Sequence, residues 1–252
     1  MKIVVAGGTG VVGREVVLAA RGDGHEVVSI SRSEGSDLTE LRDYSTIFAG
    51  VQVIIDVANT TTLSARRARE YFERASNSLQ RAGSAGGVRH LVTLSIVGLE
   101  RASSYGYCAA KLRQEQLTKS GLLPWTIVRA TQFHEFASQM TERAHFGPGA
   151  FVPSILIQSV AAKSVAEFLL ATAKREPLGN VVGVAGPERG DLAVQARLLA
   201  QRDGGRHVVA IRAPGTSGRA MRGGALLAQD GEQILGAPFM EWLASGRPLS
   251  SS

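Results

Sequence analysis

The sequence contains little that would cross-link, anchor or export the chain. Its single cysteine, Cys108, cannot form an internal disulfide, which fits a reducing compartment. The apolar run over residues 51–58 is interrupted by Gln52 and Asp56, and no run approaches the roughly 18 residues that a membrane-spanning helix needs. Glycines follow the first few apolar residues of the N-terminus, unlike a secretory signal. We therefore expect a cytoplasmic protein with no membrane partner.

Signatures of metal and nucleic-acid binding are also missing. His25, His90, His145 and His207 are scattered without HxxxH or CxxC spacing, so no metal is predicted. The net charge of +6 comes from arginines spread along the chain. Their densest cluster, residues 66–74, alternates with glutamates at helical spacing, which is typical of a solvated helix face. We expect a small-molecule substrate, no nucleic acid, and a monomer or a homodimer.

What the sequence does contain is an alternation of short apolar segments with longer amphipathic ones, typical of βαβ units and a parallel sheet. We predict strands over residues 2–6, 26–30, 51–58, 90–95, 125–129, 181–185 and 207–211. Helices are predicted over residues 10–21, 38–49, 64–82, 107–120, 163–174, 191–202 and 239–244. Residues 147–149 and Pro153 predict a loop. These elements favour a Rossmann-type α/β fold, a doubly wound parallel sheet in a single domain over residues 1–252.

Two features of this pattern depart from a complete doubly wound sheet. Too few residues separate the second strand from Asp37 for a full helix and strand crossover, so the sheet should lack one strand at that edge. After residue 133 the alternation loosens. We expect residues 134–160 and 186–252 to form a small cap over the substrate site.

A glycine turn lies directly between the first strand and the first helix. Gly7, Gly10 and Gly13 have GxxGxxG spacing, and this position makes the motif credible for dinucleotide binding. Gly7 permits the tight turn, Gly10 lets the backbone approach a pyrophosphate, and Gly13 lets the helix pack closely. The alternative is a plain structural turn. The residues expected to bind the phosphates are Gly7, Thr9, Gly10, Val11, Val12 and Gly13.

The end of the second strand predicts which nucleotide is bound. An NAD-selective site usually has a carboxylate here that receives the ribose hydroxyls. This chain has Ser31, Arg32 and Ser33, and no carboxylate occurs before Glu34. Because a guanidinium can pair with a 2′-phosphate, NADP(H) is the expected cofactor. The alternative is that Arg32 is an ordinary surface arginine.

A tyrosine and a lysine four residues apart mark a candidate catalytic helix. Tyr107 and Lys111 should lie on one helix face, where the lysine cation would lower the tyrosine pKa and let it exchange a proton with a carbonyl oxygen. Ser95, at the end of the preceding strand, would hydrogen-bond the same oxygen. Such a pair also occurs by chance on helices, so Tyr107 as a packing or pocket residue stays an alternative.

The order Ser95, Tyr107, Lys111 after a glycine turn resembles the triad of the short-chain dehydrogenases/reductases. Three further stretches resemble the NmrA-like branch of the atypical members of that family: residues 106–115, 124–133 and 184–188. The resemblance covers nearly the whole chain. It departs at Ala130, where many relatives carry proline, and at the shortened second βα unit. The branch also includes nucleotide sensors that perform no chemistry.

The resemblance implies further site residues. Lys111 would also hold the nicotinamide ribose, and Asp37 with Leu38 would line the adenine pocket. Residues expected along the nucleoside and nicotinamide are Val57, Ala58, Asn59, Ala130, Thr131, Gln132 and Phe133. Residues expected to face the substrate are Gln132, Phe133, His134 and Phe136. For His134, a lone loop histidine, a structural role is the competing interpretation.

Together these observations predict an NADPH-dependent oxidoreductase that transfers a hydride to a carbonyl, enone or quinone-type small molecule. The alternative is a non-catalytic NADP(H) sensor of the NmrA-like type. A nucleotide-sugar epimerase is disfavoured, since the C-terminal part is short and has no evident array of basic residues for a diphosphate.

Overall fold

The computed structural model describes residues 1–40, 43–147, 149–205 and 207–246. Its strands, in chain order, are β1 (Lys2–Ala6), β2 (Glu26–Ile30), β3 (Val53–Asp56), β4 (His90–Ile96), β5 (Trp125–Ala130), β6 (His145–Phe146), β7 (Gly149–Pro153), β8 (Leu156–Ile157), β9 (Val181–Ala185), β10 (Gly190–Asp191), β11 (His207–Ile211) and β12 (Gln233–Ile234). Its helices are α1 (Val11–Gly22), α2 (Ser45–Phe48), α3 (Ala65–Ala85), α4 (Gly106–Ser120), α5 (Phe136–Arg143), α6 (Ala162–Ala173), α7 (Leu192–Arg202), α8 (Gly215–Arg222) and α9 (Phe239–Ala244). A short 3₁₀ turn, Arg32–Glu34, follows β2.

Seven of the described strands form one parallel sheet in the order β12-β9-β5-β4-β3-β1-β2. The chain crosses from β2 back to β3 on the other side of β1, so the carboxyl ends of β1 and β3 flank the point where the strand order reverses. Nucleotides bind at such a switch point in open α/β sheets. Among the described residues β2 has no outer neighbour, which confirms the predicted shortage of one strand at this edge.

Helices cover both faces of this sheet because successive strand side chains point to opposite sides. On one face Ile55 packs in a cluster with Val16 of α1 and Leu169 of α6. On the other face Ile54 packs with Leu79 of α3 and with the buried end of α2. The result is the predicted Rossmann-type, doubly wound α/β fold, with the carboxyl ends of the strands left as the crevice between the helix layers.

The C-terminal region is built around a third apolar cluster. A three-stranded sheet, β11-β7-β6, packs against α5, α7 and α9, and β8 pairs with β10. The prediction of a loop around residues 147–153 is wrong: β6 and β7 form an antiparallel pair there, while Pro148 lies outside the described residues. Helices α5 and α8 were not predicted either. Residues 247–252 of the expected cap also lie outside the described residues.

The predicted helix over residues 38–49 is a second correction. Only Ser45–Phe48 is helical, and the chain turns at residues 38–40. Residues 41 and 42 lie outside the described residues. Asp37 starts the turn instead of capping a long helix: its carboxylate accepts from the backbone N–H and the hydroxyl of Thr39, at 2.9 and 2.8 Å. The short polar side chain stabilises a local turn, as aspartates do.

Arginines on the surface of α3 pair with glutamates of the same helix. Arg66 pairs with Glu70 at 2.7 Å, and Arg69 pairs with Glu73 at 3.1 Å. The two residues of each pair are four positions apart on the outer side of the helix. The predicted solvated face is therefore confirmed. Within the described part of the chain, no helix has both the length and the apolar composition needed to cross a lipid bilayer.

Candidate functional site

The turn between β1 and α1 contains two glycines that leave no room for a side chain. Gly7 has φ +83°, a conformation that favours glycine, and a Cβ there would lie 2.7 Å from Ala58 Cα. A Cβ at Gly13 would lie 2.1 Å from the Gly7 carbonyl oxygen. The turn is therefore pressed against the segment after β3, and α1 begins directly behind it.

Gly10 differs because the space beside it is open. Its φ is −72°, which any residue adopts, and the nearest atom to an added Cβ is the Gly7 oxygen at 3.3 Å. Gly10 is the N-cap residue of α1 and has no side chain with which to cap it, so the first N–H groups, at Val11 and Val12, are left for another acceptor. This uncapped, positively polarised helix start fits the diphosphate of a dinucleotide.

A chain of hydroxyls joins this turn to the end of β2. Ser33 donates to Thr9 Oγ1 at 3.0 Å, and the Ser33 and Ser31 hydroxyls lie 3.1 Å apart. Arg32, between them, is exposed, and its guanidinium carbon lies 5.7 Å from the ring centroid of Tyr71 on α3. Such stacking orients the planar guanidinium. The predicted cation thus lies at the end of β2, next to the glycine turn.

The sequence interpretation missed a carboxylate at the same place. Because residues 32–34 form a 3₁₀ turn, the Glu34 side chain folds back and accepts hydrogen bonds from Ser29 and Ser31, both at 2.7 Å. The end of β2 therefore carries one cation and one anion. The signal was present in the spacing, since a single turn brings a residue three positions later over the strand end.

The segment after β3 lies between the glycine turn and α4. Ala58 is buried in the same cluster as Leu38, which is only 5% exposed, so both contribute mainly packing. Val57 is half-buried, and its N–H donates to Ala6 at the end of β1. Asn59 is exposed, and its Oδ1 accepts from the Thr60 N–H at 2.7 Å. The structure thus brings the predicted nucleoside residues to the glycine turn.

Tyr107 points from α4 toward this segment. Its hydroxyl donates to Asn59 Oδ1 at 2.6 Å, and its half-buried ring meets Phe72 edge-on at 5.9 Å between centroids. Burial raises the pKa of Tyr107 above its usual value, while the hydrogen bond to Asn59 opposes that shift. The expectation that Lys111 lowers this pKa is therefore wrong.

Lys111 lies one helical turn from Tyr107 and faces inward. Its Nζ donates to the Leu94 carbonyl at 2.8 Å and to Gln114 Oε1, and it lies 4.8 Å from the Phe72 ring centroid. Burial lowers the pKa of Lys111 to about 8, and the nearby carboxylates of Asp56 and Glu115 oppose the shift. The tyrosine and the lysine thus share the Phe72 side of α4, as predicted.

Ser95 does not join this pair. It is 2% exposed and donates to Glu115 Oε1 at 2.6 Å, and Glu115 is bonded in turn to Arg129 at 2.8 and 2.7 Å. Glu115 lies two helical turns beyond Tyr107, about 12 Å along α4. The Ser95 hydroxyl points into this buried network, because its position in β4 faces the C-terminal half of α4 and not the turn that carries Tyr107. The prediction that Ser95 forms a triad with Tyr107 and Lys111 is therefore wrong.

The segment after β5 is more deeply packed than predicted. Ala130 and Thr131 are 1% and 2% exposed, and Thr131 Oγ1 donates to the Gln158 carbonyl at 2.6 Å. Phe133 is half-buried against the core beside α6. Gln132 reaches toward the C-terminal region: its Nε2 lies 3.4 Å from the Leu226 carbonyl, and its Oε1 is buried with no partner among the described residues. The Gln132 amide oxygen is thus an unsatisfied buried acceptor among the described residues.

His134 does not face an open site. It is 0% exposed, its Nδ1 lies 2.8 Å from Ser159 Oγ, and its ring packs on Phe239 and Trp242. Burial lowers the pKa of His134 to about 4, so the ring is neutral. The competing structural interpretation is the one the packing supports. Phe136, half-buried, belongs to the same C-terminal apolar cluster.

Residues 215–227, which comprise α8 and the turn after it, lie across the ends of β4 and β5. Arg101 donates to the carbonyls of Ala225 and Leu227 at 2.9 and 2.7 Å, and a Cβ at Gly98 would lie 2.0 Å from the Ala225 oxygen. With the contact between Gln132 and Leu226, these bonds hold the segment beside the candidate site.

Comparison with known proteins agrees with this geometry. The sequence profile of a family described as NAD(P)H-binding matches residues 7–176, which include the glycine turn, α4 and β5. A curated relative, the (4-alkanoyl-5-oxo-2,5-dihydrofuran-3-yl)methyl phosphate reductase of Streptomyces griseus, is 29% identical over 150 residues. The alignment covers 52% of this chain and 48% of the relative, so this chain spans about half the length of that protein.

Solved structures show the same fold at low identity. A short-chain dehydrogenase/reductase superfamily protein from Agrobacterium tumefaciens, with bound NAD, has a TM-score of 0.68 at 19% identity and covers 97% of this chain and 95% of its own. MoeE5 in complex with UDP-glucose and NAD has a TM-score of 0.73 at 17% identity, with 97% and 96% covered. The profile match over more than half of the chain shows that it belongs to the NAD(P)H-binding family, and these structures show that it shares their fold.

Proposed function

We propose that this protein is an NADPH-dependent oxidoreductase that reduces a carbonyl, enone or quinone-type small molecule. The observation that carries the proposal is the Tyr107 hydroxyl, held by Asn59 at 2.6 Å, one helical turn from the buried Lys111 and beside the segment that touches the glycine turn. A proton donor, a buried cation and a diphosphate cradle thus meet at the carboxyl ends of the strands, where such folds bind ligands.

NADPH supplies the hydride when bound. The glycine turn and the start of α1 would bind its diphosphate, and Lys111 would hold the nicotinamide ribose. Tyr107 donates a proton from its hydroxyl to the oxygen of the acceptor. The phenol is protonated at neutral pH and can therefore donate, although burial makes it a weaker acid than a free tyrosine. Asn59 keeps the hydroxyl in place by accepting its hydrogen bond.

The acceptor would lie between Tyr107 and residues 215–227, which we propose as part of a cap. The apolar cluster there contains Tyr105 and Leu226, and Gln132 contributes one amide. Apolar walls with few polar groups suit a small carbonyl compound. The Streptomyces relative, named as the reductase of an oxo-dihydrofuran phosphate, supports a carbonyl compound as the class of substrate.

The cofactor preference rests on Arg32, and its replacement by alanine is the first expected result. Arg32→Ala should weaken NADPH binding about tenfold and leave NADH binding nearly unchanged, because only NADPH carries the 2′-phosphate that the guanidinium pairs with. An exposed charge-assisted hydrogen bond is worth roughly 1.5 kcal/mol. Calorimetric titration of both nucleotides into the variant and the wild type measures the difference.

Glu34→Gln is the matched control, since it removes the opposite charge from the same strand end. It should tighten NADPH binding relative to NADH, because the 2′-phosphate no longer meets a carboxylate. If Arg32→Ala weakens both nucleotides equally, Arg32 is not the residue that recognises the phosphate.

The second candidate is a non-catalytic NADP(H) sensor. The position of Ser95 favours it, because Ser95 then does not join Tyr107 in hydrogen-bonding the acceptor oxygen. The two functions are separated by incubating the protein with NADPH and a panel of aldehydes, enones and quinones. We expect NADPH consumption with at least one acceptor class. NADPH binding without consumption across the panel would support the sensor.

A further inference from the structure

Asp56 is a buried carboxylate for which the proposed reaction has no role so far. It ends β3, is 3% exposed, and uses its two oxygens in different directions. Oδ1 accepts from the Ala58 N–H at 3.1 Å, and Oδ2 accepts from Gln114 Nε2 at 2.8 Å. A carboxylate is costly to bury unless it is hydrogen-bonded and compensated by charge. The two bonds connect it to both halves of the candidate site.

The first connection runs through Gln114 to Lys111. Gln114 is 1% exposed, and while its Nε2 donates to Asp56, its Oε1 accepts from the Lys111 ammonium. The amide orientation is fixed by this arrangement, since the reverse would set its NH₂ group against the ammonium. One amide thus joins Asp56 to Lys111. Burial raises the pKa of Asp56, while the charge of Lys111 and the hydrogen bonds from Ala58 and Gln114 oppose that shift and favour the carboxylate.

The second connection runs through the backbone to Tyr107. By accepting the Ala58 N–H, Asp56 fixes the turn that precedes Asn59. Asn59 in turn accepts the Tyr107 hydroxyl. Lys111 is therefore bonded to a side chain that Asp56 holds, and Tyr107 to the residue that follows the backbone N–H held by Asp56.

We propose that Asp56 is the positioning residue of this site: through Gln114 it keeps Lys111 a cation directed at the strand ends, and through Ala58 it keeps Asn59 under the Tyr107 hydroxyl. This inference rests on the proposed function, since the positions gain their use from that reaction. Asp56 itself touches neither cofactor nor substrate.

The other charges around Lys111 do not take over this role. Glu115, from α4, is engaged by Arg129 at 2.7 Å and by Lys119 at 3.5 Å. Strand β4 presents the Leu94 carbonyl, and α3 presents the Phe72 ring to Lys111. From α3, Tyr71 also faces Asp56; burial and this carboxylate raise the pKa of Tyr71 to about 12, so it is neutral.

The test measures Lys111 directly in the protein without nucleotide. The chain has few lysines, namely Lys2, Lys111, Lys119, Lys163 and Lys174, so ¹³C-lysine labelling gives a simple NMR spectrum, and Lys111→Arg assigns the Lys111 signal. In Asp56→Asn, which keeps shape and removes charge, the pKa of Lys111 should fall by about one unit or more, because an opposite charge is lost. Asp37→Asn, an aspartate outside this network, should leave it unchanged.

Gln114→Met provides a second variant should Asp56→Asn not fold. It removes the acceptor from the ammonium and should also lower the pKa of Lys111. In acceptor reduction, the alkaline limb of kcat/KM for Asp56→Asn should move to lower pH, because Lys111 loses its charge earlier; a merely structural defect would lower the rate equally at every pH.

The outcomes separate this inference from the proposed function. A Lys111 titration that is the same in wild type, Asp56→Asn and Gln114→Met would overturn the inference, even if the wild type reduces its acceptor. A shifted titration in a protein that reduces no acceptor would support the link between Asp56 and Lys111 and overturn the reductase function instead.

Discussion

Tyr107→Phe is expected to lower kcat for acceptor reduction by ~10²- to 10⁴-fold, the range that a positioned general acid contributes. The substitution removes one oxygen, and with it the proton donor and the hydrogen bond to Asn59. The ring remains, so its edge contact with Phe72 is kept, and NADPH affinity should change little. Steady-state kinetics with the best acceptor, together with a calorimetric NADPH titration, measure both quantities.

Tyr105→Phe is the matched control. Tyr105 lies two residues away, is half-buried, and its ring is 6.3 Å from that of Tyr107, so the variant tests the general cost of losing a phenol near the site. It should retain most activity. If Tyr107→Phe is as active as Tyr105→Phe, Tyr107 is not the acid, and the acceptor is reduced without a tyrosine proton.

Gly10→Ala is expected to fold normally and to weaken the binding of NADPH and NADH alike by about 100-fold. The φ of −72° accommodates alanine, and its Cβ needs only a small shift of the Gly7 oxygen, which lies 3.3 Å away. The methyl group would occupy the open space where the diphosphate approaches Val11 and Val12. Hydrogen bonds to charged groups are each worth roughly 1.5–3 kcal/mol, so losing one or two accounts for the effect.

Two other glycines of the same segment serve as controls. Gly22→Ala, at the end of α1, meets no atom within 4 Å and should alter neither the melting temperature nor nucleotide affinity. Gly13→Ala should destabilise the fold itself, because its Cβ would lie 2.1 Å from the Gly7 oxygen. Normal NADPH affinity in a folded Gly10→Ala would place the diphosphate elsewhere.

The sequence predicted the central sheet well because its strands are short β-rich runs bounded by turn residues. The strands over residues 2–6, 26–30 and 181–185 have the predicted bounds. The absence of an outer strand beside β2 was also predictable, because too few residues follow β2 for a crossover helix and a further strand.

The C-terminal region was harder to predict because its elements are stabilised by each other and have weak patterns of their own. The short strands β6 and β7 flank a stretch of glycine and proline that is typical of a loop. The burial of β7 against α7 depends on contacts between residues far apart in sequence, such as Val152 and Leu192. Local helix and strand propensities cannot predict such long-range contacts.

For the candidate site, too, the sequence predicted some residues correctly and misplaced or missed others. The spacing of Tyr107 and Lys111 put both on one helix face, and the structure confirms that placement. Ser95 was misplaced because spacing along a strand does not reveal which helix turn the side chain meets. The missed groups are two carboxylates: a turn folds Glu34 back onto Ser29 and Ser31 at the end of β2, and Asp56 meets Gln114 of α4. Which polar groups meet in a buried network depends on three-dimensional packing that no single motif encodes.

The central claim is that this chain binds NAD(P)H at the glycine turn, and calorimetric titration of the purified protein with NADPH and, separately, NADH tests it most directly. We expect saturable NADPH binding at one site per chain, tighter than NADH binding because of Arg32. Absence of saturable binding for both nucleotides would contradict the account, since the roles of Tyr107, Lys111 and Asp56 all depend on that cofactor.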